Sequence, residues 1–364
     1  MLIRYLDLFS GVGAFRHAVM RSCGRYKLNC RSVGFSEIDK NALKTYRANF
    51  EIHKDEIDFG DIANITGEEI KKVNLNFSDY RKYNKKINSV LPDIDMLFAG
   101  FPCQPFSLMG KGNGFADTRG TLFFHIERIL DAKRPSFFLL ENVRGLMTHD
   151  SGKTLDIMTK ILEKKLGYST VTWMLNSSDY GVPQTRRRIY ILGFRDGKVP
   201  ENLMKPPEKT DLRTTSKPTT WHMLERDVDK KYYLSDRIIK TILSNGTGNY
   251  YSRSEINPII ARPLCATMHK MHRASQDNYF SDRFIFGEYK KTENTIKENK
   301  RRKNRIRRIT PKEAFRLHGF PDSFVKNAQK AGVSDTQLYR QAGNSVTVNV
   351  VEKIMNLVIP ELQA

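Results

Sequence analysis

From Arg4 to Phe194, short apolar runs alternate with helical stretches, and most runs end on a turn or on a side chain with chemistry in it. A parallel strand needs a long crossover to return, so this alternation predicts a doubly wound α/β sheet. The first run, RYLDLFS (Arg4 to Ser10), meets the turn Gly11-Val12-Gly13 and then a helix from Ala14 to about Ser22. That is the strand–turn–helix opening of a nucleotide-binding domain. It is not the dinucleotide fingerprint, because Arg16 stands where that pattern needs Gly or Ala. Ser32 to Ser36 reads as the second strand and delivers Glu37 and Asp39. An acid there holds ribose hydroxyls or caps the helix Asn41 to Phe50, and both readings stay open. Gly60-Asp61-Ile62 closes a third short segment, and residues 71–90 read as a polar, basic, solvated insertion.

Ile94 to Ala99 reads as a buried strand that stops at Phe101-Pro102-Cys103, followed by a glycine-rich loop from Ser107 to Gly120. A thiol at the carboxyl end of a strand, before such a loop, is a candidate nucleophile. A small buried hydrophobe is the alternative. A helix follows from Thr121 to Ala132, a strand from Ser136 to Leu140 that delivers Glu141-Asn142-Val143, and a helix from about Thr154 to Leu166. Strands at Ser169–Leu175 and Arg188–Phe194 complete the unit, with the cations of Gln184-Thr185-Arg186-Arg187-Arg188 between them.

The charge balance says what such a unit works on. With 61 Lys and Arg against 40 Asp and Glu, the chain carries a formal charge of +21, which points to a polyanion. The four cysteines (Cys23, Cys30, Cys103, Cys265) show no C-x-x-C pair and no metal-ligand spacing, and the histidines are scattered, so no metal site is expected. Neither a signal peptide nor a membrane-spanning run is evident, which predicts a reducing, cytoplasmic setting. Past residue 195 the composition turns loop-rich. Residues 289–308 hold ten Lys and Arg against two Glu and read as a flexible basic segment. Thr310-Pro311-Lys312-Glu313 signals a helix start, and Val346 to Val358 reads as a closing apolar helix.

In order, the motifs DLFSGVGAFR (7–16), FSEID (35–39), GDI (60–62), AGFPCQPFS (99–107), FLLENV (138–143), DYGVPQTRRRIYILGF (179–194), HGFPDSF (318–324) and QAGNSV (341–346) resemble those of the DNA (cytosine-5) methyltransferases of restriction-modification type. The resemblance spans nearly the whole chain; the basic insertions 71–90 and 289–308 depart from it but touch no catalytic motif. It implies a Rossmann-like, S-adenosylmethionine-dependent catalytic domain (1–195 plus 341–364), a smaller loop-rich target-recognition domain (196–308) and a hinge (309–340). It makes Cys103 the nucleophile toward C6 of cytosine, with Glu141 on the N3/N4 edge, Arg188 on O2 and Arg186 orienting the site. It places S-adenosyl-L-methionine, and the product S-adenosyl-L-homocysteine, among Phe9, Gly11, Gly13, Glu37, Ile38, Asp61, Ile62, Pro102, Leu122, Asn344 and Val346. Asn344 and Val346 come from the far end of the chain, so the last helix is expected to pack back on the first domain.

Double-stranded DNA is the implied partner, with the target base flipped out of the stack. Gln104, Ser107 and Arg119 would meet DNA around the flipped base. The stretches Ser244–Tyr251 and Met268–Phe280 look like recognition loops, with Asn249, Tyr250, Arg273, Gln276 and Asn278 as candidate readers. A cognate restriction endonuclease would share the site without a stable complex, and a monomer is expected. A tRNA cytosine-5 methyltransferase of the same fold is the rival, and a small domain of about 110 residues favours DNA. An inactive DNA-binding homologue does not fit the intact Cys103, Glu141, Arg186 and Arg188. A dinucleotide dehydrogenase fails on Arg16.

Overall fold

In the computed structural model the described residues are 2–67, 77–102, 121–195, 197–210, 218–244, 246–247, 250–251, 255–273, 275–287 and 305–362. Strands β1 (Leu2–Leu8), β2 (Asn29–Ser36), β3 (Ile57–Gly60), β4 (Met96–Gly100), β5 (Phe137–Val143), β6 (Ser169–Asn176) and β7 (Arg187–Phe194) form one sheet. Its order is β3-β2-β1-β4-β5-β7-β6. The first five strands run parallel. The central ones are covered on both faces, which is why Met96 to Ala99 and Phe137 to Leu140 are unbroken apolar runs with no exposed surface. Successive side chains alternate between two core layers: Phe98 and Phe137 face one, Leu97 and Phe138 the other.

Helices α1 (Ala14–Arg25) and α2 (Lys40–Asn49) share the first layer with the last helix, Val348–Glu361. The last helix returns to α1 through Ser22 Oγ donating to the Glu352 carbonyl at 3.3 Å and Tyr26 Oη donating to the Asn356 carbonyl at 2.8 Å. The short α3 (Ala63–Thr66), α4 (Phe77–Val90), α5 (Thr121–Lys133) and α6 (Lys153–Lys160) cover the second face.

Several expectations change. The polar stretch 71–90 is not a solvated insertion throughout. Residues 68–76 lie outside the described residues, but α4 buries Ile87 completely and ties Asn84 to Asp131 of α5 at 2.9 Å. Val90 packs partly against the same core, and such a sparse apolar stripe escapes a composition count. The uniform winding also breaks after α6. β7 runs antiparallel to both β5 and β6, because the link Ser177–Arg186 holds only a short turn and no crossover helix. The expected helix 154–166 is α6 continued by a wider turn through Ile161–Lys165. Cys23 and Cys30 are joined by a disulfide, their Cα atoms 6.3 Å apart where α1 turns into β2; the cysteine pattern gave no sign of this.

Beyond β7, Leu203 is still fully buried in the first layer, and Tyr180 Oη donates to the Pro207 carbonyl at 3.2 Å. Ile242, Leu243, Ile256, Tyr279 and Ile306 form a separate small cluster. Tyr279–Ser281 pairs antiparallel with Ile306–Arg308. This corrects the reading of 289–308 as flexible throughout: 289–304 lie outside the described residues, but 305–308 are built in. Arg305 pairs with Asp282 at 2.8 Å, and Arg308 donates to the Met268 carbonyl at 2.7 Å. Arg307 is fully buried, donating to Glu313 at 2.6 and 2.8 Å and to the Glu225 carbonyl at 2.9 Å. Glu313 does double duty. It completes the capping box of the helix Pro311–Arg316, accepting from the Thr310 N–H at 2.8 Å.

Removing one partner of a buried pair strands the other charge. Glu313→Ala should therefore cost about 3–5 kcal/mol of unfolding free energy. Urea denaturation beside the wild type measures it, and a loss comparable to that of an exposed pair would mean the Arg307 charge finds water.

Candidate active site

The carboxyl ends of β1, β2, β4 and β5 open onto one cavity of about 610 Å³. Its wall takes Phe9 to Val12 from the turn after β1, Glu37 to Asp39 after β2, Asp61 and Ile62 after β3, and Gly100 to Pro102 at the end of β4. Glu141 and Val143 end β5, Arg186 and Arg188 enter β7, and Arg340, Gln341 and Gly343 to Val346 arrive from the far end of the chain. Strand ends converge there because a parallel sheet stops its strands along one edge.

The turn after β1 is bent hard. Phe9 has φ +54°, a left-handed conformation that costs a non-glycine residue of order 1–3 kcal/mol. Gly13, at φ +86°, has no room for a side chain: a Cβ would come within 2.4 Å of Phe50 and 2.9 Å of Tyr46. Glu37 is preset by its own backbone. Its Oε2 accepts from the Gly11 N–H at 2.8 Å, and its Oε1 accepts from Ile38 and Asp39 at 2.9 and 2.8 Å. A carboxylate has about four acceptor directions, so one is left for a ligand. Ile38 stands 73% exposed at the cavity mouth, while Ile62 is buried. Asp61 accepts from the Ala63 N–H at 2.9 Å.

On the opposite wall, Glu141 Oε1 lies 3.2 Å from Arg188 Nε. Burial raises the Glu141 pKa, against the pull of Arg188 and Arg186. Arg186 is spent on backbone: it donates to the carbonyls of Leu264, Gly343 and Ser345 at 3.1, 3.1 and 2.9 Å. Burial, followed by the like charge of Arg188, lowers its pKa to about 10. Gln184, fully buried, accepts from the Leu264 N–H at 3.1 Å and donates to the Leu317 carbonyl at 2.8 Å. Both polar groups of Leu264 are thus taken by the segment that leads to Arg188.

Cys103 lies outside the described residues, as do Gln104, Ser107, Arg119 and Asn249; for Tyr250 only the backbone is described, in a two-residue strand. The chain leading to Cys103 is fixed by Asn142, which donates to the Phe101 carbonyl at 3.0 Å, and Gly100 stands in register with Glu141. Phe9, Gly11, Glu37, Ile38, Asp61, Ile62, Pro102, Leu122, Asn344 and Val346 all line the cavity; Gly13 lies behind it. The candidate readers lie elsewhere. Arg273 is held by Thr267 Oγ1 at 3.0 Å and Asp277 Oδ1 at 2.9 Å. Asn278 is buried and bonded both ways to the Arg262 backbone. Gln276 is exposed. Among the described residues no cluster has the make-up of a metal site, and no helix is long and apolar enough to cross a membrane.

No role was legible in the sequence for Arg340, just before QAGNSV, for Gln341, which opens that motif, or for Asp7, which opens DLFSGVGAFR. Asp7 is fully buried on β1. Burial raises its pKa to about 8; the Arg16 charge opposes this, Glu37 adds to it, the Arg16 N–H opposes it and Glu56 adds to it.

The whole chain has known relatives. A family model described as C-5 cytosine-specific DNA methylase matches residues 3–359. The Type II methyltransferase M.NgoBI of Neisseria gonorrhoeae is 37% identical over 371 residues, covering 99% of this chain and 95% of the relative. M.HpaII of Haemophilus parainfluenzae, also a Type II methyltransferase, is 35% identical, covering 98% and 89%. Among solved structures, the S. pombe Dnmt2 methyltransferase superposes with a TM-score of 0.72 at 20% identity, covering 100% of both chains, and so shares the fold.

The Asp7 carboxyl makes a pH prediction. Its folded pKa lies above the unfolded value near 3.9, so the native state keeps a proton that the unfolded chain loses. That contribution to stability is present at low pH and is lost as pH rises through about 8. Asp7→Asn removes the slope, so its unfolding free energy should gain on the wild type from about pH 5 up to about 8 and level off above that. Urea unfolding across that range tests this, and parallel curves would refute it.

Proposed function

The chain belongs to the C-5 cytosine-specific DNA methylases and is a DNA (cytosine-5) methyltransferase; from that premise we propose how its residues divide the work. The family's substrate sets aside the tRNA alternative. The observation that carries the assignment is one cavity holding the Glu141–Arg188 pair on one wall and Glu37 with Asp61 on the other, beside the strand that runs into Pro102-Cys103.

A duplex hides C5 of cytosine, so the base must be turned out of the stack at a cost of a few kcal/mol. Cys103 adds through its thiolate to C6, which makes C5 nucleophilic; after C5 is methylated, loss of its proton and elimination of the Cys103 sulfur restore the C5–C6 double bond and free the thiolate. Glu141 faces the N3/N4 edge. It is placed to hydrogen-bond that edge as charge builds on the ring, and Arg188 holds both Glu141 and the cytosine O2. Arg186 acts as a positioning residue through the carbonyls it gathers.

When bound, S-adenosyl-L-methionine would supply the methyl group, with S-adenosyl-L-homocysteine as the product. The residues present fit it. The cavity has the volume of a ligand site, and the wall offers acids for hydroxyl and amine groups between apolar faces. Gly100 keeps the floor open, since a Cβ there would come to 3.3 Å from Phe15 and Val346 and 3.5 Å from Glu141. Glu37 takes a ribose hydroxyl on its remaining acceptor direction, Asp61 takes the adenine amine, and Phe9, Ile38 and Ile62 cover the ring. Gly11, Pro102, Leu122, Asn344 and Val346 would accommodate the methionine portion, and Gly13 lets the turn fold tightly behind it.

Double-stranded DNA then lies along the recognition segments. Gln104, Ser107 and Arg119 would meet it at the flipped base, and Asn249, Tyr250, Arg273 and Gln276 in the groove; Asn278 supports the loop through Arg262. The domain plan is 1–195 with 341–364 for catalysis, 196–308 for recognition and 309–340 as the hinge. The enzyme would act as a monomer in the cytoplasm, beside a cognate restriction endonuclease of the same site.

Cys103→Ala should abolish methyl transfer while leaving the unfolding transition in place. DNA carrying 5-fluorocytosine at the target should trap the wild type covalently and not the variant; a trapped Cys103→Ala would overturn the nucleophile.

Replacing Gln276 by Ala should cost about 1–3 kcal/mol of discrimination at one base pair. Genome-wide methylation mapping reads this as a relaxed motif, and an unchanged motif at full activity would remove Gln276 from the interface. Neutralising Lys300, Arg301, Arg302 and Lys303 should weaken binding to all sequences alike. Each phosphate that these side chains no longer neutralise should lower the salt slope by about 0.9, and an unchanged slope would show that this stretch meets no phosphates.

A further inference from the structure

Among the described residues, an ion pair joins two residues at the exposed edge of the cavity. Arg340 Nη1 lies 3.3 Å from Asp39 Oδ2, with the side chains 50% and 23% exposed. Both residues line the cavity, beside Ile38 and Asn344. They belong to opposite ends of the chain: Asp39 caps α2, and Arg340 sits on the helix Asp335–Asn344. The two oxygens of Asp39 have separate duties. Oδ1 accepts from the Asn41 and Ala42 N–H groups at 2.9 and 3.2 Å, which caps the helix, while Oδ2 faces Arg340.

The seam between these two elements does not rest on that pair. Gln341, next in the chain and buried, donates to the Asn41 carbonyl at 2.9 Å and accepts from Thr45 Oγ1 at 2.8 Å. The packing is therefore secured from within, and the Arg340–Asp39 contact stands outside it, where the cavity meets solvent. The other described cations on the cavity wall are engaged, Arg188 with Glu141 and Arg186 with three carbonyls. Arg340 is the one at the rim, opposite the acids Glu37, Asp39 and Asp61.

We propose that the Arg340–Asp39 pair is a latch across the mouth of the cofactor cavity that sets how long the bound cofactor product is held. This rests on the cofactor reading above. A ligand that leaves past this rim requires the two side chains to separate, while Gln341 keeps α2 and the helix that carries Arg340 together, and an exposed ion pair opposes that separation weakly and in a salt-dependent way.

The full-length protein is loaded with radiolabelled S-adenosyl-L-homocysteine and chased with excess unlabelled compound, at about 20 mM and about 500 mM salt. Asp39→Asn keeps a capping oxygen and loses the charge; Arg340→Gln loses the other charge. Each should release the ligand roughly two- to five-fold faster at low salt, the range an exposed ion pair commands. The double variant should be no faster than either single one. High salt should bring the wild type to the same rate and leave the variants almost unmoved. Arg21→Gln, which breaks the 2.8 Å pair with Glu352 away from the cavity, should release at the wild-type rate. Urea midpoints of all variants should match the wild type, which separates a latch from a merely structural contact.

Wild-type protein that captures no S-adenosyl-L-homocysteine overturns the cofactor reading and the latch together. Wild type that binds it, with variant release rates and salt dependence unchanged, overturns the latch alone. So does faster release that follows a lowered urea midpoint.

Discussion

Three parts of this chain that are far apart in sequence meet on the guanidinium of Arg186. It donates to the Leu264 carbonyl of the loop-rich region and to the Gly343 and Ser345 carbonyls of the returning end. A planar group with five donors suits such convergence, and a lysine would not reproduce it. The cost is large, since the group is buried and no carboxylate among the described residues is bonded to it, and burial lowers its pKa to about 10. Gln184 relieves the same neighbourhood from two residues upstream by binding the Leu264 N–H and the Leu317 carbonyl. Gly343 completes the fit. A Cβ there would come within 2.1 Å of Ala266 and 2.3 Å of Cys265, so the two backbones touch where a side chain would hold them apart.

That junction sets where Arg188 stands. It enters β7 two residues later, in register with Val143, and meets Glu141 across the pair of strands. The antiparallel hand of β7 matters here. A parallel strand would begin at the far edge of the sheet, and an arginine at its start would miss the cavity. Reversing β7 brings the start of that strand to the edge where β5 ends, so acid and cation face each other.

Buried charge recurs as a joining device. Arg16 is buried in α1, beside Glu56 and Tyr46, and ties α1 to the segment before β3. Arg307 with Glu313 and Glu225 ties the loop-rich region to the helix Pro311–Arg316. Such pairs add little net stability compared with apolar contacts, but they tolerate few alternative partners. In a chain whose last helix packs back on its first, that selectivity sets which segments meet.

Amino-acid order was enough for the elements whose local chemistry admits one structure. The Gly11-Val12-Gly13 turn, the apolar cores of β4 and β5, and the capping box at Thr310 to Glu313 were all legible, because each depends on neighbours in sequence. The succession of motifs was legible for the same reason, and with it the family. Packing between distant segments settled the rest. The direction of β7, the seating of α4 through Ile87, the Cys23–Cys30 bond and the order within 305–308 depend on partners that no local pattern names. Asp7 and Arg340 were invisible as functional candidates because their meaning is positional. One becomes unusual only when β1 is covered on both faces, and the other only when the chain's end is laid against α2. Spacing in sequence records what a residue can do; which charge it finally faces is set by the fold that buries it.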